Sequence, residues 1–148
     1  MTRKRIVIAG TNFAGYTAAL ELKELVGDHH DIVVVANTHT FLFFPSLIWY
    51  PFGLREAEDI TFDVRPIYAA HGIQFIEDQI ERFDPPANQV LTAAHGAVPY
   101  DYLVIGTGPK VDYDYIPGVR QYAHSIVGLG PAQKTREAWN RFLIHPGP

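Results

Sequence analysis

The 148-residue chain contains no cysteine, so these residues hold no disulfide, no thiolate metal site and no cysteine-based redox centre. It also lacks any block of basic charge. Twelve Lys and Arg stand against 16 Asp and Glu, for a net charge of −4, which leaves no stripe for a nucleic acid backbone and no polybasic patch for a membrane. No apolar run approaches the roughly 20 residues that span a bilayer. The basic start Thr2-Arg3-Lys4-Arg5 is followed only by Ile6 to Ala9 before glycine and asparagine intervene, too short a run for an export signal. Seven histidines are present, but none at H-x-x-x-H or H-E-x-x-H spacing, so no metal site is expected. Ser46, Ser125 and the scattered carboxylates lack the setting of a nucleophile or an acid/base pair, and no catalytic side chain is assigned. There is no internal repeat and no low-complexity tract.

What is present is a globular composition, 47% apolar, in one domain's length of chain. Ile6 to Ala9 is a continuous apolar run, as a parallel strand covered on both faces requires. A helix is expected from about Ala14 to Val26, with Ala18, Leu22 and Val26 on one stripe, Leu25 beside it, and Gly27 ending it. Ile32 to Ala36 is too β-branched for anything but a second buried strand. Strand, glycine turn, helix and strand fill about thirty residues, the size of a βαβ unit.

Farther along, Asp59 to Asp63 reads as extended. Asp63 caps a helix from Val64 to about Ala70 that tolerates Pro66 in its first turn. Ile73 to Ile76 is a third strand. Gln79 to Phe83, Gln89 to Ala93 and Val98 to Tyr100, with turn residues between them, form a β-meander. Asp101 to Ile105 returns to a buried strand, Ile116 to Val119 is a turn, and Gly130-Pro131 opens a last helix with Trp139, Phe142 and Leu143 on one face. His145-Pro146-Gly147-Pro148 reads as a linker.

The stretch between the first strand and helix carries the chemistry. In a βαβ unit such a glycine turn presents backbone N–H groups to a dinucleotide pyrophosphate, and the helix N-terminus adds roughly half a positive charge. Of the G-x-G-x-x-G pattern, Gly10 and Gly15 are kept and Asn12 replaces the second glycine. Asparagine tolerates positive φ, so the turn survives, with a side chain standing where phosphate approaches. The acid expected at the end of the second strand is missing as well, and Asn37 offers a neutral amide to a ribose hydroxyl instead. Gly106-Thr107-Gly108-Pro109 makes a second glycine-rich turn at the sheet's carboxyl edge, followed by Lys110, which faces either a phosphate or flavin oxygen or solvent. Phe41 to Gly53 packs six aromatics and two prolines into thirteen residues. This segment is either an apolar wall, against a planar cofactor or in the core, or a membrane-surface or partner loop.

These segments together resemble a known family. Arg5 to Gly15, Phe41-Leu42-Phe43-Phe44-Pro45-Ser46 with Trp49, Tyr100 to Lys110, and Ile116-Pro117-Gly118 are similar to the N-terminal third of FAD-dependent pyridine nucleotide-disulfide oxidoreductases. Within that family the similarity is to the sulfide:quinone oxidoreductase branch, near flavocytochrome c sulfide dehydrogenase and type II NADH dehydrogenase. The resemblance implies an α/β fold: a Rossmann-like, three-layer FAD-binding domain over 1–148 with a parallel sheet and the β-meander as a crossover. It places Gly10, Thr11, Asn12 and Gly15 at the FAD pyrophosphate and Asn37 at the adenosine ribose. Pro45 and Ser46 fall on the flavin side, and Thr107, Gly108, Pro109 and Lys110 beside the cofactor.

By the same resemblance, a second nucleotide-binding domain and a C-terminal segment follow in the family, so the chain is expected to be the N-terminal part of a larger flavoprotein and catalytically incomplete alone. The implied partner is quinone or another electron-transfer partner reached through that further part. A cytoplasmic location is expected, with peripheral membrane association and oligomerisation left open. Where the sulfide branch carries a redox cysteine this chain has Val127, so sulfur transfer by a disulfide route is not expected, whereas electron transfer through a flavin is. Two rivals stand beside this reading: a degenerate Rossmann-like domain serving as a subunit or interaction module, and an NAD(P)-binding dehydrogenase domain.

Overall fold

A computed structural model describes residues 2–144, and the tail His145-Pro146-Gly147-Pro148 lies outside the described residues. In chain order the elements are β1 (Arg5–Ala9), α1 (Phe13–Val26), β2 (Asp31–Ala36), β3 (Thr40–Leu42), two short 3₁₀ turns (Phe44–Ile48 and Tyr50–Phe52), α2 (Ala57–Ile60), β4 (Thr61–Asp63) and α3 (Arg65–Ala70). They continue with β5 (Gln74–Glu77), β6 (Ile80–Asp84), a 3₁₀ turn (Pro85–Ala87), β7 (Gln89–Thr92), β8 (Gly96–Pro99), β9 (Tyr102–Ile105), α4 (Val119–Tyr122) and α5 (Leu129–Ile144). The chain forms two compact units, residues 2–41 with 63–108, and residues 42–62 with 109–144.

The first unit is built on a four-stranded parallel sheet in the order β5-β2-β1-β9. The central strands β1 and β2 lie between two apolar layers, which is why they are apolar at nearly every position rather than every second one. The edge strands β5 and β9 expose their end residues, so that 101–105 is a half-exposed edge strand and not the buried strand expected. Ile6 and Ile8 of β1 and Ile32 and Val34 of β2 pack with Ala19 of α1 and Tyr68 of α3 on one face. Val7, Val33 and Val35 face the opposite way and meet Val90 and Val98 of the meander. The strands β6, β7 and β8 form a separate antiparallel sheet, and this covers the face where a doubly wound fold would carry helices. The three layers are therefore helices, parallel sheet and meander, and the meander is the crossover from β5 to β9.

The helix stripe behaves as its spacing predicts, Ala18, Leu22 and Val26 packing against the core, whereas Leu25 is 79% exposed. Gly27 ends α1 at φ 55°, its N–H bonding to the Lys23 carbonyl, and Asp63 accepts from the Arg65 N–H at the start of α3, 2.9 Å away.

One further local expectation is corrected. Asp59 and Ile60 are helical, because the Asp59 carboxylate reaches back to the Glu56 N–H at 2.9 Å and closes a capping box. The turn at Ile116 to Val119 is present, the Val119 N–H bonding to the Ile116 carbonyl at 3.2 Å, and the short helix α4 follows it.

In the second unit, Leu47, Tyr50, Ile60 and Ala132 make a small core. Arg136 of α5 holds Glu56 with two hydrogen bonds of 2.6 and 2.7 Å and lies over the Tyr50 ring. Trp139 stacks on Phe142 and meets Phe52 edge-on. The aromatic segment is thus not one wall. Phe41 is buried in the first unit against Phe13 and Tyr16, Tyr50 is buried in the second, and Phe43, Phe44, Trp49 and Phe52 are each more than 40% exposed.

Candidate functional site

The carboxyl ends of all four parallel strands open into one cleft of about 440 Å³ in the first unit. Gly10-Thr11-Asn12 follows β1, Asn37-Thr38 follows β2, Gln79 to Phe83 follows β5, and Gly106-Thr107 follows β9. The chain runs from β1 through β2 to β5 on one side and returns to the other side of β1 with β9, so the cleft sits at a topological switch point, where open α/β sheets bind ligands. Its volume lies within the range of roughly 300–1,000 Å³ for small-molecule sites.

Three glycines set the floor. Gly10 has φ 103°, a conformation that side chains rarely adopt, and a Cβ there would fall 2.3 Å from the Gly106 carbonyl oxygen. A Cβ at Gly15 would fall 1.9 Å from the Gly10 carbonyl oxygen, and one at Gly106 would crowd the Gly15 nitrogen at 3.0 Å. The first turn of α1, the end of β1 and the end of β9 therefore meet backbone to backbone. Gly106 belongs to this contact, although its sequence context shows only a turn.

Asn12 differs from expectation in an instructive way. Its backbone is extended (φ −95°, ψ −162°), and its side chain caps α1 by accepting from the Phe13 N–H at 3.1 Å. The turn needs no glycine at this position, because Gly10 alone supplies the positive φ. The Asn12 carboxamide oxygen thus takes the first N–H of the helix end, the place an anion's oxygen would take.

Thr11 shows its backbone to the cleft, but its side chain is buried and its hydroxyl lies 2.8 Å from that of Tyr68 in α3. Burial raises the Tyr68 hydroxyl above its ordinary value, which keeps it a neutral hydrogen-bonding partner.

Of the other residues singled out in the sequence, Asn37 and Thr107 line the cleft. Gly15 lies beneath it, and Gly108, at φ 76°, is exposed past β9. Pro45, Ser46, Pro109 and Lys110 belong to the second unit. There Ser46 is buried in the first 3₁₀ turn, and Pro109 and Lys110 line a shallow hollow with Val127. The structure thus brings Gly10, Thr11, Asn12, Asn37 and Thr107 to one cleft.

The wall contributed by Gln79 to Phe83 is absent from the sequence reading, although the rule that strand ends line such clefts points to the residues just after Ile76. What holds that wall is Asp78. Its own N–H bonds to the Ala36 carbonyl at 2.9 Å. Its buried carboxylate accepts the N–H groups of Gln79, Ala94 and His95 at 2.7 to 2.9 Å, and the His95 ring nitrogen lies 3.1 Å away. These donors, the His95 N–H foremost, hold the Asp78 carboxyl well below the usual carboxylate range.

A family model for pyridine nucleotide-disulphide oxidoreductases matches residues 4–144. The chain belongs to the pyridine nucleotide-disulphide oxidoreductase family. Members of this family are flavin-dependent oxidoreductases. The chain is 32% identical to the sulfide-quinone reductase of Aquifex aeolicus, over 98% of its own length and 33% of that protein's. It is 30% identical to a mitochondrial external alternative NAD(P)H-ubiquinone oxidoreductase B3 of Arabidopsis thaliana, over 91% and 25% of the two lengths. The solved structure of the Aquifex sulfide:quinone oxidoreductase superposes with a TM-score of 0.91 over 98% of this chain. The chain thus spans a third or less of the relatives it matches. Among the described residues of this family member no helix is long and apolar enough to cross a membrane.

Proposed function

We propose that residues 1–148 form the N-terminal FAD-binding domain of a flavoprotein oxidoreductase that passes electrons from a reduced donor, of the sulfide or NADH type, to quinone or another acceptor. The observation that carries this reading is the cleft at the switch point, floored by three glycines that a Cβ would fill and closed by the N-terminus of α1.

These residues fit a dinucleotide. The N–H groups of Thr11, Asn12 and Phe13 and the dipole of α1 would hold the diphosphate, the Phe13 N–H being the one that the Asn12 carboxamide caps here, while the Gly10 N–H is committed to the Val35 carbonyl at 2.8 Å. Asn37 takes the adenosine ribose. Gly15 keeps α1 close enough to β1 for these donors to converge. By family resemblance Pro45, Ser46, Pro109 and Lys110 serve the flavin end, and Gly108 and Thr107 the approach to it.

Bound FAD supplies the two-electron chemistry, and the chain supplies binding, orientation and shielding. With no cysteine among the 148 residues, they contribute no thiolate of their own to sulfur transfer. Where quinone is the acceptor, its solubility in lipid places the work of the whole protein at a membrane surface.

Purified protein is expected to be yellow, with bands at about 370 and 450 nm from the flavin, and to take up added FAD stoichiometrically. Colourless protein that takes up no FAD overturns the reading and favours a degenerate interaction module.

A further inference from the structure

Beside the missing acid at the end of β2 lies an unassigned side chain, that of Gln79. Its Oε1 accepts from Asn37 Nδ2 at 3.3 Å, and its Nε2 donates to the Ile80 carbonyl at 2.9 Å. The second bond settles which way the amide faces. The backbone of Gln79 is held as firmly: its N–H donates to Asp78 Oδ1 at 2.7 Å, and its carbonyl accepts from the Ala93 N–H at 3.0 Å. Asp78 is tied in turn to the end of β2 through the Ala36 carbonyl. The two amides thus stand side by side on the cleft wall, each just past the end of one of the adjacent parallel strands β2 and β5.

We infer that Gln79 is a second ribose-reading residue, which acts with Asn37 as a neutral amide pair in place of the single carboxylate that usually grips an adenosine ribose. This rests on the FAD reading above. A carboxylate only accepts hydrogen bonds, whereas an amide pair both accepts and donates. Among the described residues Asn37 Oδ1 has no hydrogen bond, so it accepts from one ribose hydroxyl. The 3.3 Å bond between the amides is at the long end of the normal range, so a second hydroxyl can enter it, donating to Gln79 Oε1 and accepting from Asn37 Nδ2. A vicinal diol matches this arrangement, and a single hydroxyl satisfies half of it. Asp78 is the positioning residue, since it sets the backbone from which Gln79 projects.

The test is a cycle between protein and ligand. Affinities of the protein for FAD and for FAD analogues carrying 2′-deoxyadenosine or 3′-deoxyadenosine are measured for the native sequence, Gln79→Met and Gln79→Ala. Gln79 is exposed, so both variants should fold, and Met keeps its length. Gln79→Met is expected to weaken FAD by about three- to tenfold, the worth of one neutral hydrogen bond. At least one deoxy analogue should bind the native protein and the variant alike. If Gln79→Met weakens FAD and both analogues equally, the residue only supports the wall and the inference fails while the cofactor reading stands. Equal affinity of the native protein for FAD and both analogues also overturns it. Native protein that binds no FAD removes the cofactor reading and this inference together.

Discussion

Thr11 lies in the middle of the loop proposed to hold the nucleotide, yet its hydroxyl is committed to Tyr68, 57 residues later. Replacing Thr11 with Val should therefore cost stability and leave FAD affinity nearly unchanged. Val keeps the shape and removes the hydroxyl, so Tyr68, with none of its surface exposed, is left with an unpaired O–H. An orphaned buried hydroxyl costs about 1–3 kcal/mol, which for a chain near 150 residues lowers Tm by roughly 3 to 10 °C. Tyr68→Phe orphans the Thr11 hydroxyl instead, and the expected loss is similar. The double variant replaces both partners by apolar groups of the same shape and should recover most of the loss. A coupling of about 2 kcal/mol is therefore expected from the cycle, read from urea unfolding of the four proteins with FAD titrations alongside. Losses that simply add would show that the two hydroxyls do not depend on each other. A Thr11→Val protein of native stability that binds FAD poorly would show that the hydroxyl serves the ligand after all.

Asn12→Asp keeps an equally good helix cap but sets a carboxylate against the diphosphate. Titration should show FAD affinity reduced about tenfold or more at low salt, as two like charges some 5 Å apart imply at intermediate dielectric, with thermal stability kept. Gly15→Ala drives a methyl to within 1.9 Å of the Gly10 carbonyl oxygen. The loop must move, so denaturant unfolding should show a loss of about 3 kcal/mol or more and the protein should purify colourless; native stability would contradict the close approach. Asp63, lowered to about 2 chiefly by its bond to the Arg65 guanidinium, and Asp78, lowered further by its N–H donors, both ionise more readily folded than unfolded. Their stabilisation is complete above the unfolded value near pH 4 and is lost as pH falls through the folded values. Melting temperature should therefore drop steeply from pH 4 downward, and the Asp78→Asn variant should show a shallower drop. An unaltered slope would refute the role given to Asp78.

The parallel sheet and its helices could be read from the sequence because their causes are local. Runs such as Ile6 to Ala9 and Ile32 to Ala36 are apolar at every position, which only burial on both faces demands, and Gly10 and Gly15 stand where a backbone must pass within touching distance of another. The meander was likewise marked by its turn residues. At Asn12 the fingerprint suggests a positive φ that asparagine tolerates, and only the folded loop shows that Gly10 carries that conformation alone while Asn12 is extended. The aromatic segment could not be apportioned from its composition, since whether Phe41, Tyr50 or Trp49 is buried depends on residues far along the chain.

The sequence by itself determined the βαβ unit, the carboxyl-edge turns and the absence of thiol chemistry within these residues, because periodicity, chain stiffness and residue chemistry act over a few neighbours. Tertiary structure alone decided that Thr11 turns inward to Tyr68, that Gly106 packs against Gly10, and that Asp78 gathers Ala94 and His95 to hold Gln79 beside Asn37. Those partners are 16 to 96 residues apart. They meet only because four parallel strands carry their carboxyl ends to one edge, and no local pattern records which distant backbone a side chain will find there.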